Sequence, residues 1–337
     1  MKVSELGEFG LIDLLAKMVS GSRSRQPSAW QQIILGIGDD AAAWRGEAST
    51  QLLTTDSLFQ DVHFSLSTTP WQELGWKALA VNLSDIAAMG GVPRYAVISL
   101  ALPGHTEVED VTALYEGMIE IAQQFEVAII GGDTCRAPLV SITVTVLGNT
   151  INQDRPLLAR SAARPGDKIA VTGNLGGAAA GLEMLTNQLQ FDAEATAQLK
   201  KAFLHPLPRV TEGQQLVEKG VKTTIDISDG LVADLKHICN ASQVGARVEV
   251  ERVPVNTAAR ACFGERALNL ALSGGEDYEL LFTASAEIID EVMEAAHCPV
   301  TVIGEITADN IGEVTLLDVN GKPFSLDEAG WEHFTTG

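Results

Sequence analysis

Cations are scarce in this chain. Its 337 residues hold 23 Lys and Arg against 44 Asp and Glu, a formal net charge of −21. That balance excludes nucleic acid as a principal partner, because displacing counterions from a phosphate backbone takes a surplus of Lys and Arg. It disfavours an anionic membrane surface for the same reason. Only four cysteines occur, Cys135, Cys239, Cys262 and Cys298, and no two form a C-x-x-C pair. A zinc ribbon and a dithiol redox motif are thereby removed, and the spacing is too sparse for the disulfide scaffold of a small secreted domain. Reduced thiols in a cytoplasm are the expectation. No apolar run reaches the about 18 residues of a membrane span, so none is expected. Glu5, Glu8 and Asp13 break the first 19 residues, which leaves no signal-peptide core.

Familiar chemical devices are missing too. No G-x-x-x-x-G-K-[ST] phosphate loop occurs, and neither G-x-S-x-G nor H-E-x-x-H is present. GNLGGAAAG imitates a dinucleotide fingerprint, but its spacing does not fit, and it reads as a turn that packs a helix against a strand.

What is present points to a large, mixed protein. Apolar residues make up 46%, enough for a substantial core. At roughly 100–200 residues per domain, two domains are expected. Strand-like runs such as QLLTTD, YAVISLAL and SITVTVLGNT alternate with helical ones such as VEDVTALYEGMIEIAQQFE. The turn signal Pro165-Gly166-Asp167 interrupts this pattern, and the domains are placed at 1–155 and 156–337. Both halves mix strands and helices, an α/β (α+β) class. NLSDIAAMG echoes DISDGLVADL, and GGDT echoes GGED, a faint suggestion of related halves. Asn320-Gly321 predicts a two-residue hairpin turn.

Carboxylates recur at the expected strand ends or in loops, with Thr54, Thr55 and Asp56 ending an apolar strand. LGIGDDAA carries Asp39 and Asp40; if the chain is extended there, the two point to opposite sides. TTDSLFQDVHF offers Thr54, Thr55 and Asp56, hard oxygen donors of the kind Mg²⁺ prefers, or else a cap or turn. In NLSDIAAMG, Ser84 or Asp85 reads as a helix N-cap, and such an end also suits phosphate. AIIGGDTCR places Asp133 just after a strand and a glycine pair that permits close backbone approach. IDISDGL sets Asp226 and Ser228 on one face, with Asp229 beside them. SGGEDYEL brings Glu276 and Asp277 on a glycine turn. One such aspartate is a cap; Asp40, Asp56, Asp85, Asp133, Asp226 and Asp229 together suggest a site for several divalent ions.

LGIGDDAA, TTDSLFQDVHF, KALAVNLSDIAAMG, IIGGDTCR, IDISDGL and SGGEDYEL stand in the order found in the thiamine-monophosphate kinases, and the chain resembles that family from about Gly7 to Trp331. The family belongs to the aminoimidazole ribonucleotide synthetase superfamily. The resemblance implies that fold in two domains, with an N-terminal ATP- and Mg²⁺-binding domain whose sheet completes a barrel-like core across a homodimer. It implies phosphoryl transfer from ATP to thiamine monophosphate, assisted by several Mg²⁺ ions. Carried over by position, Asp40, Thr54, Thr55, Asp56, Asp85, Asp133, Asp226 and Asp229 are the implied metal ligands, with Asp56, Asp85 and Asp226 catalytic. Tyr115, Gly132, Asp133, Arg160 and Ser228 match the ATP contacts, and His63, Glu276 and Trp331 the thiamine-phosphate contacts. At Gln60-Asp61 the family often has Glu-Gly, so a changed loop shape around His63 is an expectation.

Rival readings exist. Selenophosphate synthetases use a reactive residue near the N-terminus, and no Cys precedes Cys135; the hydrogenase-maturation relatives end in a Cys-bearing tail, and this chain ends WEHFTTG. An aminoimidazole ribonucleotide synthetase-like enzyme is the harder alternative, and VHF with SGGEDYEL argues against it. A non-enzymatic divalent-cation-binding protein would cluster its carboxylates in one loop, and here they are scattered.

Overall fold

A computed structural model describes residues 1–6, 8–22, 27–35, 43–44, 46, 49–151, 157–326 and 330. The chain divides into two compact units, Met1–Ile86 with Val92–Gln153, and Ala87–Gly91 with Asp154–Gly337. The first half runs α1 (Val3–Leu6), α2 (Glu8–Ser22), α3 (Pro27–Trp30), β1 (Ile33–Leu35), β2 (Ala43–Trp44), β3 (Gln51–Phe59), α4 (Trp71–Ala88), β4 (Gly91–Leu102), α5 (Val108–Gln124), β5 (Ala128–Arg136) and β6 (Ser141–Thr150). The second runs β7 (Lys168–Thr172), α6 (Gly177–Thr186), α7 (Ala193–Leu204), α8 (Val210–Glu218), β8 (Thr223–Asp226), α9 (Leu231–Ser242), β9 (Gly245–Glu249), α10 (Thr257–Phe263), α11 (Arg266–Ser273), β10 (Leu280–Ala284), α12 (Ala286–Ala295), β11 (Val300–Thr307) and β12 (Val314–Leu317). No helix among the described residues is long and apolar enough to cross a membrane.

The first unit is built on a four-stranded sheet ordered β3-β6-β4-β5. β3 and β6 are antiparallel, and β4 and β5 are parallel, joined by the crossover helix α5. Side chains alternate between two faces with period two. One face buries Leu52 and Leu58 of β3, Ile142, Val144 and Val146 of β6, and Ile98 and Leu100 of β4. Helix α4 crosses this face, bringing Ile86 against Gly148 and Asp85 against Thr54. The other face is more open: Leu53 is 71% exposed and Phe59 47%. Among the described residues, Trp30 and Ile33 pack with Val97 and Leu147 against part of it.

Helix α4 starts after Pro70, whose carbonyl accepts from Leu74 N, and stops at Gly90, left-handed at φ 67°. It meets α5 without an intervening side-chain layer. A Cβ added at Gly75 would lie 1.8 Å from the Leu114 carbonyl oxygen, and one at Gly117 would lie 1.9 Å from that of Gln72.

The second unit carries a six-stranded sheet ordered β12-β9-β11-β7-β10-β8. Its pairs are antiparallel except β12 with β9. β10 is buried along its length, as continuous apolar character predicts for a strand covered on both faces. Ile169, Val171, Ile225, Leu231, Leu235 and Leu281 belong to one apolar core of this unit.

Several sequence expectations are corrected here. Ser84 and Asp85 do not cap a helix; they lie in the last turns of α4, because no Gly or Pro stands between Trp76 and Ala88 to break the helix-favouring run. The phosphate-binding helix start envisaged at Asp85 therefore does not exist. Asp133 lies within β5 rather than after it, and Asp56 is internal to β3. The echo between the halves is not structural either. Ser84-Asp85 is helical, whereas Ser228-Asp229 is the loop before α9, which Gly230 opens at φ 122°. Around Asn320-Gly321 the chain does double back, but Asp318 and Lys322 close a three-residue loop rather than a two-residue turn. The Asp318 carboxylate takes the N–H groups of Asn320 and Lys322, and these bonds hold its pKa below the usual carboxylate range.

The α4–α5 crossing generates a prediction. Gly75→Ala is expected to cost about 1–3 kcal/mol, since the added methyl meets backbone that cannot rotate away; urea unfolding measures it, and an unchanged midpoint would contradict the crossing geometry.

Candidate active site

In the first unit the implied ligands are set by the pleat of β3. Thr54 and Asp56 are two apart and face α4, both half-buried. Thr54 Oγ1 donates to Asp85 Oδ2 at 2.5 Å, and Asp56 N donates to Asn82 Oδ1 at 3.1 Å. Asn82, fully buried, donates its own Nδ2 to the Ala78 carbonyl, which fixes the amide's orientation. Thr55 points the other way. Its hydroxyl lies 3.0 Å from Thr145 Oγ1 across the ladder, on the open face. Asp133 pairs with Ser99 in the β4–β5 register and shares that open, exposed face. So Thr54, Asp56 and Asp85 stand on one side of the sheet, and Thr55 and Asp133 on the other. Gly132 sits where a Cβ would come within 2.1 Å of the Ile98 carbonyl oxygen, so this close strand approach requires glycine.

The loop after β3 presents His63. Phe59 N donates to His63 Nδ1 at 3.0 Å, which leaves the proton on Nε2. Asp61 N donates to the Phe64 carbonyl at 2.8 Å, and Asp61 itself is left-handed at φ 63°. The aspartate thus takes up the backbone conformation a glycine would adopt, and Asp is among the residues that tolerate it.

In the second unit, Asp226 ends β8 and is 4% exposed, while Ser228 and Asp229 are half-buried in the following loop. Three successive amides of that loop converge on one atom. Ser228 N, Asp229 N and Gly230 N donate to Asp234 Oδ2 at 3.0, 3.1 and 3.1 Å. Burial, with the charges of Asp226 and Asp229, pushes Asp234 up to about 8 despite these bonds. Asp229, Asp234 and His237 bring one ligand atom each within 4.8 Å of one another. The loop also pairs with the glutamate-bearing turn: Glu276 N donates to the Ser228 carbonyl and Tyr278 N to that of Ile227. Glu276 is left-handed at φ 68°. Asp277 points at the head of α6, accepting from Gly176 N at 2.6 Å and Ala178 N at 3.2 Å; burial pushes its pKa up to about 7. The glycine stretch GNLGG is therefore a helix start filled by a carboxylate of the same chain. Beneath it, Glu279 is held by both Arg209 Nε and Nη2, at 2.6 and 2.5 Å, and by Thr172 Oγ1 at 2.6 Å.

Other implied residues are less exposed to a ligand or lie elsewhere. Tyr115 is a core side chain of α5, 5% exposed, and burial raises its phenol pKa. Arg160 is exposed, next to the bridge between Ala159 and Thr223 at the start of β8. Asp40 and Trp331 lie outside the described residues. The described C-terminal segment ends at Gly330, where an added Cβ would meet the Asp229 carbonyl oxygen at 2.7 Å. Sequence reasoning missed Asn82, Asp234 and the capping role of Asp277. D-G-x-x-x-D over 229–234 was the available signal for Asp234: a carboxylate one helical turn past a glycine break.

The implied ligands of the described residues offer carboxylate and hydroxyl oxygens, a set that suits Mg²⁺ better than a soft metal, with the His237 imidazole beside Asp229 and Asp234 as the one nitrogen donor in that cluster. Residues 38–150 match the AIR synthase related protein N-terminal domain, and residues 164–317 its C-terminal domain. The thiamine-monophosphate kinase of Escherichia coli K12 is 40% identical over 336 residues, covering 98% of this chain and 99% of its own. This chain belongs to the thiamine-monophosphate kinase family. Its fold is the two-domain AIR synthase-related one. The crystal structure of thiamine-monophosphate kinase from Stenotrophomonas maltophilia K279a superposes with a TM-score of 0.81 at 37% identity, over 91% of this chain and 96% of that one. AaThiL complexed with AMPPCP and TMP superposes with a TM-score of 0.76 at 33% identity, over 99% of each chain.

For this member of the thiamine-monophosphate kinase family, two substitutions test the local readings. Asp61→Gly should shift stability by less than about 1 kcal/mol, as strain relief and backbone entropy oppose each other. Asp61→Val should cost about 1–2 kcal/mol, since a β-branched residue resists the left-handed region. Thermal unfolding separates the two. At Asp277 the raised pKa means that the folded state favours the neutral acid. Its contribution is complete below about pH 4 and is lost as pH rises through about 7. Asp277→Asn, always neutral, should therefore gain stability relative to the parent as pH rises over that window; a pH-independent difference in urea midpoints would contradict this.

Proposed function

We propose that this chain transfers the γ-phosphoryl group of ATP to thiamine monophosphate, giving ADP and thiamine diphosphate. The observation that carries this reading is its likeness, over nearly the whole of both chains, to a relative complexed with AMPPCP, a methylene analogue of ATP, and with TMP, read as thiamine monophosphate. The acceptor is a phosphate, already ionised at neutral pH, so the reaction needs no strong general base. The obstacle is bringing two polyanions into line within an acidic protein. The carboxylates of the site would hold Mg²⁺, which would supply positive charge to offset that of the phosphates.

Asp40, Thr54, Thr55, Asp56, Asp85, Asp133, Asp226 and Asp229 would hold the ions, with Asp56, Asp85 and Asp226 closest to the chemistry in this reading. The pinned orientation of Asn82 against Asp56 N supports a fixed ligand strand. Backbone amides at the heads of α6 and α9 are already taken by Asp277 and Asp234, so phosphate charge falls to side chains and metal rather than to an amide cradle. Arg160 supplies a forked cation for the ATP phosphates. Ser228, Gly132, Asp133 and Tyr115 complete the nucleotide contacts. His63, Glu276 and Trp331 take the thiamine phosphate, where a Trp face against the thiazolium is worth about 0.5–2 kcal/mol. Transfer is direct and in line, without a covalent phosphoenzyme.

Residues 1–155 serve in this reading as the ATP- and Mg²⁺-binding and dimerisation domain and 156–337 as the C-terminal domain, in a cytoplasmic homodimer. The exposed Leu53 and Phe59 support a second subunit on the open sheet face, forming a barrel-like core.

Incubation with ATP, Mg²⁺ and thiamine monophosphate should yield thiamine diphosphate by chromatography. Free phosphate alone, or activity only with a formylglycinamidine-type substrate, would sink the assignment. Asp56→Asn should lower turnover by about 100-fold or more while the fold persists by circular dichroism.

A further inference from the structure

Ser228 and Asp229 can act on a nucleotide or an ion only if their loop keeps one shape, and the structure shows what imposes it. The amides of Ser228, Asp229 and Gly230 all turn inward to Asp234 Oδ2, at 3.0–3.1 Å, while the Ser228 and Asp229 side chains remain half-exposed. Asp234 is 1% exposed and stands in the first turn of α9, so its carboxylate is fixed to a helix buried in the core. Gly230, at φ 122°, gives the curl that lets three consecutive amides reach one atom. On its carbonyl side the loop is held by Glu276 N, which donates to Ser228 O at 2.8 Å. That approach depends on Gly275, where a Cβ would lie 2.3 Å from the same oxygen. Asp277, next to Glu276, is bonded in turn to the head of α6. The loop is thus clamped between α9 and the turn at 274–278.

We infer that Asp234 is a positioning residue for the metal–nucleotide end of the site: its carboxylate holds the 227–230 backbone so that Ser228 and Asp229 face the ligand in a fixed array. This rests on the kinase reading for the identity of the ligand. Asp234 Oδ2 is already committed to three N–H donors, so the role inferred for it is that of an acceptor at a defined place, separable by experiment from a role of its charge or of its other oxygen as an ion ligand beside Asp229 and His237.

Two full-length variants separate these roles. Asp234→Asn keeps an oxygen at the same place and cannot ionise; Asp234→Glu keeps an ionisable carboxyl and moves the oxygen by one methylene. Binding of Mn²⁺ is read by electron paramagnetic resonance and binding of AMPPCP with Mn²⁺ by calorimetry, neither requiring turnover. Positioning predicts that Glu weakens both by about 10–100-fold, the range for groups that orient metal ligands, while Asn keeps most of the affinity. The KM for thiamine monophosphate should move little in either variant. Asp234→Ala, which removes the acceptor, should resemble Glu where it folds. The reverse order, Glu tighter than Asn, assigns the effect to charge and overturns the proposal, as does equal binding in both. A parent protein that binds Mn²⁺ and AMPPCP in the expected order of variants but makes no thiamine diphosphate would refute the kinase reading and leave the role of Asp234 standing.

Discussion

A carboxylate that accepts backbone N–H groups is the interaction on which the second unit's loops depend. Asp234 gathers three amides before α9, and Asp277 gathers two at the start of α6. Each fills a place where a helix start would otherwise draw an outside anion. Burying a carboxylate is expensive unless its oxygens are satisfied, and both groups retain raised pKa values, so the amides offset only part of that cost. Burial itself is the chief part of the remainder, and neighbouring acids add to it: Asp226 and Asp229 around Asp234, and Glu279 and Glu276 around Asp277. An acidic site with its amides already spent is suited to cations, and that is the sense in which the chain's net charge of −21 is organised rather than diffuse.

The first unit solves a different problem. A pleated strand sends Thr54 and Asp56 to one side and Thr55 to the other, so consecutive residues of one motif serve two environments. On the α4 side, Asn82 and Asp85 meet the strand within hydrogen-bond distance. On the open side, Thr55 and Asp133 share a surface with exposed apolar side chains. Any ligand drawing on all of them must approach the sheet from both faces.

Much of this was legible in the sequence, for physical reasons. The long apolar-periodic stretches became α4 and α5, and SITVTVLGNT became β6, because period alone fixes which face is buried. The chemical motifs were legible as types, since hard oxygen donors in apolar company need an explanation. Their exact setting was not. NLSD reads as a cap in isolation, yet helix formers on both sides carry α4 through it. Asp61 stands left-handed at φ 63° with its N–H on the Phe64 carbonyl, a setting made by the turn around it and not readable from the motif. Asp234 went unread although its three bonds are local, four to six residues apart, because D-G-x-x-x-D does not by itself say that three amides will turn toward one oxygen.

Gly75 and Gly117 bear on all of the first unit's chemistry. Where they cross, α4 and α5 touch backbone to backbone, within reach of the Leu114 and Gln72 carbonyls. Side-chain contacts between helices act as compliant spacers that swap rotamers and let one helix slide on another; at Gly75 and Gly117 no side chain stands between the two backbones. Asn82 and Asp85 ride on the same helix a few turns away, so their distance to β3 inherits the tolerance of a rigid bearing. The place of those two polar groups is thereby gauged by peptide atoms, whose dimensions do not change from one sequence to another.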